Sequence, residues 1–213
     1  MGAAALCLAD FEKAYALGRH DSLVGRPWPG WLEGQFQIHF IYTGVAESMF
    51  LIFPDGTTML LDCGDFSAKF NEPDGTPRFI EDDIADVCGS VNVAKVDHHG
   101  HNSMSCKLVA ALGPQVWVSC VWDQLHNLPG TMELLSDRSI YPGDRIICPT
   151  IMPAERRAAD GDAAWMKDIA PEAFEGGHVV VNVEKGGRRY SVAWLTAADE
   201  SMTVRSVRRF TAR

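Results

Sequence analysis

Three of the seven histidines stand close together, in the segment Asp97-His98-His99-Gly100-His101-Asn102. Imidazole nitrogens bind zinc, iron and other borderline metal ions, and a glycine lets the backbone turn sharply enough for neighbouring side chains to aim at one point. A polar loop with capping histidines is the alternative interpretation. Because the cluster stands beside an aspartate and follows an apolar stretch, the pattern favours a metal site with His98, His99 and His101 as ligands.

A second polar segment, Trp122-Asp123-Gln124-Leu125-His126-Asn127, follows the next apolar stretch of the chain. If the two apolar stretches are neighbouring parallel strands, the loops after them open at the same edge of the sheet, where ligands bind in open α/β sheets. Asp123 and His126 are therefore candidate substrate-binding residues in the same cavity. An ordinary surface turn accounts for the same residues, and that alternative stays open.

Two aspartates close an earlier apolar stretch, in Leu60-Leu61-Asp62-Cys63-Gly64-Asp65. An aspartate after a strand and before a glycine often only caps a turn. The same position is also common for a carboxylate that orients a metal-binding histidine or binds the metal itself. Asp62 and Asp65 are the candidate catalytic carboxylates, with the simple turn as the alternative.

The elements that must position these residues follow from the periodicity of the apolar side chains. Apolar and polar side chains alternate over residues 35–42, which predicts a strand. The turn residues Pro54-Asp55-Gly56 separate the apolar runs 48–53 and 57–61, which predicts a hairpin. Strands and helices then alternate, which predicts parallel, right-handed βαβ units. The alternating segments are a strand at 91–96, a helix at 104–112 with Ser103 as its N-cap, a strand at 115–121, a helix at 131–135 and a strand at 144–148.

The rest of the chain completes a mixed α/β (α+β) fold. A hairpin is predicted at 178–184 and 190–195, with an edge strand at 204–210. Residues 1–34 form an arm, with apolar positions at helical spacing over 3–17 and then a Pro- and Trp-rich turn segment. Residues 35–213 form a single domain, in which 66–90 is the least periodic part.

Composition and charge limit the function classes. The net charge of −9 argues against a protein that binds nucleic acid mainly by electrostatic attraction. Four arginines cluster near the end of the sequence and are best explained as a charged edge strand, with DNA binding as a weaker alternative; they are Arg205, Arg208, Arg209 and Arg213. The six cysteines are scattered without a Cys-x-x-Cys pair, which favours a reducing compartment. No apolar run approaches the roughly 20 residues of a membrane-spanning helix, and the first residues lack the basic segment of a secretory signal. We therefore expect a cytoplasmic protein without a membrane partner.

Several blocks of the sequence together resemble the metallo-β-lactamase-fold hydrolases. Within that superfamily, the chain is most similar to the metallohydrolase domain of DNA-uptake (ComEC-like) proteins. The resemblance covers most of residues 35 to 195. The blocks that carry it are Gln37–Gly44, Phe50–Gly64, Val93–Gly100, Gln115–Val118, Pro129–Leu135, Tyr141–Gly143 and Gly177–Val183.

The resemblance implies an αββα sandwich with one or two metal ions, usually zinc, that activate water to cleave an ester, an amide or a phosphoester. Asp62 matches a carboxylate that supports such a site. His98 and His99 match the His-His-Gly motif that lies later in the sequences of this superfamily, and one of the two is expected to bind the metal ion. Asp74 corresponds by position to a bridging carboxylate, and His101 has no counterpart in the family.

The sequence departs from the family in the segment that should supply most metal ligands. The motif His-x-His-x-Asp-His should lie between Asp62 and His98, and it is absent. His99-Gly-His101 supplies the first half of such a pattern, but Ser103 and Met104 stand where Asp and His should follow. The first half of the sandwich is therefore truncated, either by an internal deletion near 66–90 or by natural degeneration.

Two functions remain as expectations. In the first, three protein ligands hold zinc or another divalent metal ion, the pKa of bound water falls toward ~7, and an aspartate accepts the proton as the hydroxide attacks a small-molecule or phosphoester substrate. In the second, the chain is a degenerate, non-catalytic member of the same fold that acts as a binding or assembly module. Metal content discriminates between the two.

Overall fold

The chain builds two β-sheets, a six-stranded mixed sheet and a three-stranded antiparallel sheet. This computed structural model describes residues 31–40, 49–62, 89–101, 104–121, 123, 125–198 and 201–213. Residues 33–213 belong to one compact unit. The predicted helix at 3–17, the aspartates at 65 and 74, and nearly all of the abbreviated segment 66–90 lie outside the described residues.

The main sheet keeps its strands in chain order, from β1 to β6. The first three strands pair antiparallel, and the predicted hairpin between β2 and β3 is confirmed. From β3 to β6 each strand is parallel to its neighbour, which confirms the predicted βαβ order and brings the carboxyl ends of these strands to one edge. The strands are β1 Gln37–Phe40, β2 Met49–Ile52, β3 Thr58–Leu61, β4 Val93–Lys95, β5 Val116–Ser119 and β6 Ile146–Pro149.

Two helices connect the parallel strands: α1 (Cys106–Leu112) joins β4 to β5, and α2 (Pro129–Ser136) joins β5 to β6. The predicted N-cap of α1, Ser103, is wrong. Ser105 caps the helix instead, because its hydroxyl accepts a hydrogen bond of 3.1 Å from the amide of Leu108. Two serines precede the same apolar pattern, and only the backbone path decides which of them reaches a free amide.

The segment after β6 contains three short helices that apolar periodicity did not predict. They are α3 (Ala154–Asp160) and two 3-10 helices, Ala164–Asp168 and Pro171–Phe174. Helix α3 buries no residue, so its sequence carries no apolar stripe. Within the described ranges, every helix is too short or too polar to cross a lipid bilayer.

The second sheet consists of β7 (His178–Val183), β8 (Arg189–Leu195) and β9 (Val204–Thr211), paired antiparallel in that order. The predicted hairpin and the predicted edge strand are both confirmed.

The two faces of the main sheet bury different clusters of side chains, because successive residues of a strand point to opposite sides. One face packs against the helices, through side chains that include Trp117 of β5, Leu108 of α1 and Leu135 of α2. The other face packs against the second sheet, where Val116 joins Trp194 in one cluster. The described residues thus form a helical layer, a mixed sheet and an antiparallel sheet, which confirms the mixed α/β class.

Candidate functional site

The loop after β4 forms a tight left-handed turn that carries the predicted histidines. Asp97–Gly100 is assigned as a 3-10 helix, but His98 (φ 44°, ψ 46°) and His99 (φ 54°, ψ 22°) have left-handed backbone angles. Asp62, at the end of the neighbouring β3, has φ 52°. Non-glycine residues in this region cost about 1–3 kcal/mol and are concentrated at functional sites. Three of the four such residues in the described part of the chain therefore lie at one edge of the sheet.

Four imidazole rings pack together at this edge, three from the turn and His126 from the loop after β5. The ring of His126 stacks on that of His99, with centroids 4.9 Å and planes 9° apart, and meets the ring of His101 edge-on at 4.9 Å. The centroid of His98 lies 5.0 Å from that of His101 and 6.5 Å from that of His99. We call these four residues the imidazole cluster.

Hydrogen bonds hold the two loops of the imidazole cluster together. Nδ1 of His99 donates to the carbonyl oxygen of Cys120 over 2.8 Å. Because a carbonyl oxygen only accepts, Nδ1 carries the proton, and in the neutral ring Nε2 carries the lone pair. The amide of Leu128 donates to the carbonyl oxygen of Gly100 over 2.9 Å. The orientation of His99 is therefore set by the loop that also carries His126.

His126 is the most buried member of the cluster, with 3% of its surface exposed. Burial lowers the pKa of His126, the neighbouring His99 and His101 lower it further, and Asp123 acts in the opposite sense. The ring is therefore neutral at neutral pH, and one of its nitrogens carries a lone pair. A neutral imidazole is the form that binds a metal ion or accepts a proton.

Two carboxyl groups and a lysine lie beside the turn. Asp97, which is 4% exposed, forms a side-chain hydrogen bond with Asp62, and Asp62 forms an ion pair with Lys95. Burial raises the pKa of Asp97 to about 7; the hydrogen bond to Asp62 and the charge of Asp62 add to this effect, whereas Lys95 opposes it. The Oδ2 atom of Asp97 has no hydrogen-bond partner among the described residues. This carboxyl group can hold or release a proton near neutral pH.

Comparison of the chain with protein-family models, with curated proteins and with solved structures finds no match. As their side chains are placed, no group of three or more His, Cys, Asp or Glu residues in the described ranges is arranged to hold a metal ion. Neutral imidazole and carboxylate are nevertheless ordinary zinc ligands. The donor types therefore suit zinc, but the described side chains do not converge on one metal position.

The remaining predicted site residues have other contacts or lie outside the described residues. Asp123 closes a turn, because its carboxylate accepts a hydrogen bond of 2.8 Å from the amide of Leu125 and its carbonyl oxygen accepts one of 3.1 Å from the amide of His126. This is the turn that the sequence left open as an alternative. Asp65 and Asp74 lie outside the described residues.

Sequence reasoning did not single out Lys95 or Asp97 as site residues. A signal for each was present: Lys95 ends an otherwise apolar strand, and Asp97 directly precedes the His-His pair. A lysine at such a position needs a partner for its charge. That partner, Asp62, is 33 residues away in the chain and becomes a neighbour only through the pairing of β3 with β4.

Proposed function

We propose that the chain is a metal-dependent hydrolase with a reduced metallo-β-lactamase-like site, in which activated water cleaves an ester, an amide or a phosphoester. The observation that carries the proposal is the imidazole cluster: loops after two neighbouring parallel strands bring together four imidazole rings, each with its centroid 4.9 to 6.5 Å from those of two others. A structural role seldom requires so many histidines in contact, whereas zinc sites are built from them.

The architecture agrees with this proposal. A mixed sheet with helices on one face and a second, antiparallel sheet on the other corresponds to three layers of the expected αββα sandwich. The imidazole cluster lies at the carboxyl edge of the parallel strands, where open α/β sheets bind ligands.

Three of the four imidazoles of the cluster would hold zinc after a small rearrangement of their side chains, since a catalytic zinc ion takes three protein ligands and leaves one position open. Bound zinc supplies a Lewis acid and lowers the pKa of a coordinated water to about 7. The hydrogen bond from Nδ1 of His99 to Cys120 fixes that ring and leaves Nε2 as its ligand nitrogen. His98 and His101 lie on the same turn, which brings their rings to within 5.0 Å.

The carboxyl pair beside the turn supplies the proton acceptor in this proposal. Lys95 holds Asp62 through an ion pair, and Asp62 in turn holds Asp97 through a hydrogen bond. Oδ2 of Asp97 is the oxygen whose hydrogen-bonding capacity is unused among the described residues. In this role the carboxylate of Asp97 would accept the proton of a water that attacks the substrate.

The decisive experiment measures metal and activity in the same protein samples. We expect the purified protein to retain zinc, manganese or iron in stoichiometric amount, detected by plasma mass spectrometry, and to hydrolyse bis-p-nitrophenyl phosphate or p-nitrophenyl acetate. The double variant His98→Ala, His99→Ala should lose both properties. His178→Ala, an exposed histidine at the start of β7, is the matched control and should retain them. A parent protein that contains no metal ion, and whose melting temperature does not change on addition of zinc, would contradict the proposal.

The second candidate function is a non-catalytic binding or assembly module. It is favoured by the lack of three converging ligands among the described side chains and by the missing His-x-His-x-Asp-His motif. This alternative predicts a folded, metal-free parent whose stability the His98→Ala, His99→Ala double variant leaves nearly unchanged.

A further inference from the structure

A cavity of about 620 Å³ opens at the end of the main sheet opposite the imidazole cluster. Gln115 and Ile146, at the amino ends of β5 and β6, line one side, and β9 lines the other through Arg208 and Phe210. The imidazole cluster follows the carboxyl ends of β4 and β5, so the length of a four-residue strand, roughly 13 Å, separates the two places. Cavities of this volume are typical of sites for small molecules.

The wall of this cavity is basic, although the chain as a whole carries a net charge of −9. Two of its charges are already neutralised. Asp168 accepts hydrogen bonds of 2.8 and 3.3 Å from the guanidinium of Arg138, and Arg208 donates one of 3.0 Å to Glu172. The charged residues of the wall are Arg145, Lys167, Arg208, Arg209, Asp144 and Asp168.

Arg145 places a buried positive charge behind the wall. Its guanidinium makes five hydrogen bonds, all to backbone carbonyl oxygens, and its side chain lies 3.4 Å from the ring centre of Tyr141. These acceptors are dipoles and not charges, so the positive charge is not cancelled by a hydrogen-bonded carboxylate. The residue therefore contributes a fixed positive potential to the cavity.

Lys167 and Arg209 are exposed at the cavity, and neither forms an ion pair within the part of the chain that the structure describes. With the two ion pairs set aside, three positive charges (Arg145, Lys167, Arg209) face one negative charge (Asp144). The wall therefore carries an excess of two positive charges.

The four arginines near the end of the chain differ in whether their side chains contact the rest of the protein. Arg205 pairs with Glu175, Arg208 pairs with Glu172, and Arg213 donates to backbone carbonyl oxygens. These three attach the edge strand β9 to the rest of the protein. Arg209 has no such contact among the described residues, although it borders the cavity.

An apolar surface continues the basic part of the wall. It is formed by Ile146, Ile169, Pro171 and Phe210. The ring of Phe210 stacks on that of Tyr190, with centroids 5.1 Å and planes 15° apart, so the aromatic side of this surface is held in place. A ligand that fits the wall has an anionic end and an apolar or ring-shaped body.

We propose that this cavity binds a small phosphorylated organic molecule of about the size of a mononucleotide. A phosphate monoester carries about −1.5 to −2 charges at pH 7, which matches the excess positive charge, and lysine and arginine are ordinary phosphate ligands. The organic body packs on Ile169 and Phe210. Long nucleic acids are disfavoured, because the chain as a whole carries a net charge of −9, which repels a polyanion.

Calorimetric titration with adenosine monophosphate, adenosine and a single-stranded oligonucleotide tests this proposal. All titrations contain a chelator, so that phosphate binding through a metal ion at the imidazole cluster does not contribute. We expect adenosine monophosphate to bind, adenosine to bind at least tenfold more weakly, and the oligonucleotide to bind no more tightly per strand than the mononucleotide. Binding should weaken with added salt.

Variants assign the binding to this wall. Lys167→Ala and Arg209→Ala remove charges at exposed positions, and together they should weaken binding of adenosine monophosphate by about tenfold or more. Asp144→Asn removes the opposing carboxylate and should strengthen it several-fold, which a damaged fold cannot do. Lys107→Ala on α1 is the matched control for each of the two single substitutions, because it also removes one positive charge, and it should leave the affinity unchanged. The double variant at His98 and His99 should leave the affinity unchanged too.

Three results would overturn the proposal. The first is that adenosine monophosphate does not bind to the parent protein. The second is equal affinity for adenosine and its monophosphate, or tighter binding of the oligonucleotide. The third is that the variants at Lys167, Arg209 and Asp144 bind the mononucleotide as the parent does. Because the imidazole cluster takes no part, the outcome is independent of the proposed hydrolase activity.

Discussion

The side-chain amide of Asn127 occupies the space that a Cβ atom at Gly100 would need. A Cβ atom built there would clash with Oδ1 and Cβ of Asn127, and Gly100 has a φ of +79°. The same amide oxygen accepts a hydrogen bond from the hydroxyl of Ser119 at the end of β5. The two loops of the imidazole cluster therefore approach each other at a point where only glycine fits.

Gly100→Ala should lower the free energy of unfolding by more than about 2 kcal/mol, because a left-handed alanine alone costs about 1–2 kcal/mol and the displaced Asn127 adds to this. Urea denaturation measures the change. Gly130→Ala in α2 is the control: a Cβ atom there has open space, so the variant should be neutral or more stable by up to about 1 kcal/mol. Equal destabilisation by both substitutions would contradict the close approach of the loops.

Removal of the lysine at the end of β4 should reveal the ion pair with Asp62. Lys95→Met leaves the partly buried carboxylate of Asp62 next to Asp97 without its cation, so we expect a loss of about 1–3 kcal/mol of stability. The double variant Lys95→Met, Asp62→Asn should regain part of that loss. A strictly additive double-mutant cycle would show that the two side chains do not interact.

The buried carboxyl group of Asp97 should make the chelator-treated protein less stable as the pH rises. The folded state holds this proton up to a pKa of about 7, whereas an ordinary aspartate loses it near 3.8. Between these values the folded state binds more protons, so the stabilisation is complete below the lower value and is lost as the pH rises through the higher one. Asp97→Asn should remove this trend and be more stable than the parent above pH 7 by on the order of a few kcal/mol.

Urea midpoints between about pH 5 and about pH 8 test the prediction for Asp97. Asp162→Asn, at an exposed position, controls for the loss of one negative charge. Parallel pH profiles for the parent and the Asp97→Asn variant would rule out a raised pKa at this site.

His126 should make the protein less stable as the pH falls, which is the opposite of the effect of Asp97. Its pKa is lowered from 6.5 by burial and by the nearby imidazoles, so the unfolded chain takes up the proton first as the pH falls. The stability contributed by the neutral ring is therefore present above pH 6.5 and is lost as the pH falls below that value. Proton NMR of the ring should give a midpoint below the ordinary value. His126→Leu should reduce acid sensitivity, whereas His178→Leu should not; a midpoint above the ordinary value would refute the burial argument.

Local elements of this fold could be predicted from the sequence because each depends on neighbouring residues. Short apolar runs mark β4 and β5, alternating apolar side chains mark β8, and Gly113 ends α1 with a left-handed φ of 41°, as its type and position indicate. The short helices after β6 could not be predicted in the same way. Trp165, for example, is buried only because its 3-10 turn packs against α2 and the main sheet.

The sequence by itself determined which chemical groups stand at the strand ends, and the tertiary structure decided which of them meet. The histidines at 98, 99 and 101 are neighbours in any conformation, whereas His126 reaches them only because β4 and β5 pair in parallel, with Lys95 opposite Val118. The ion pair of Asp62 with Lys95 and the high pKa of Asp97 likewise require β3 beside β4 and exclusion of water. Periodicity reports the conformation of a segment, but charge pairing and desolvation depend on residues far apart in the chain, and only packing brings those together.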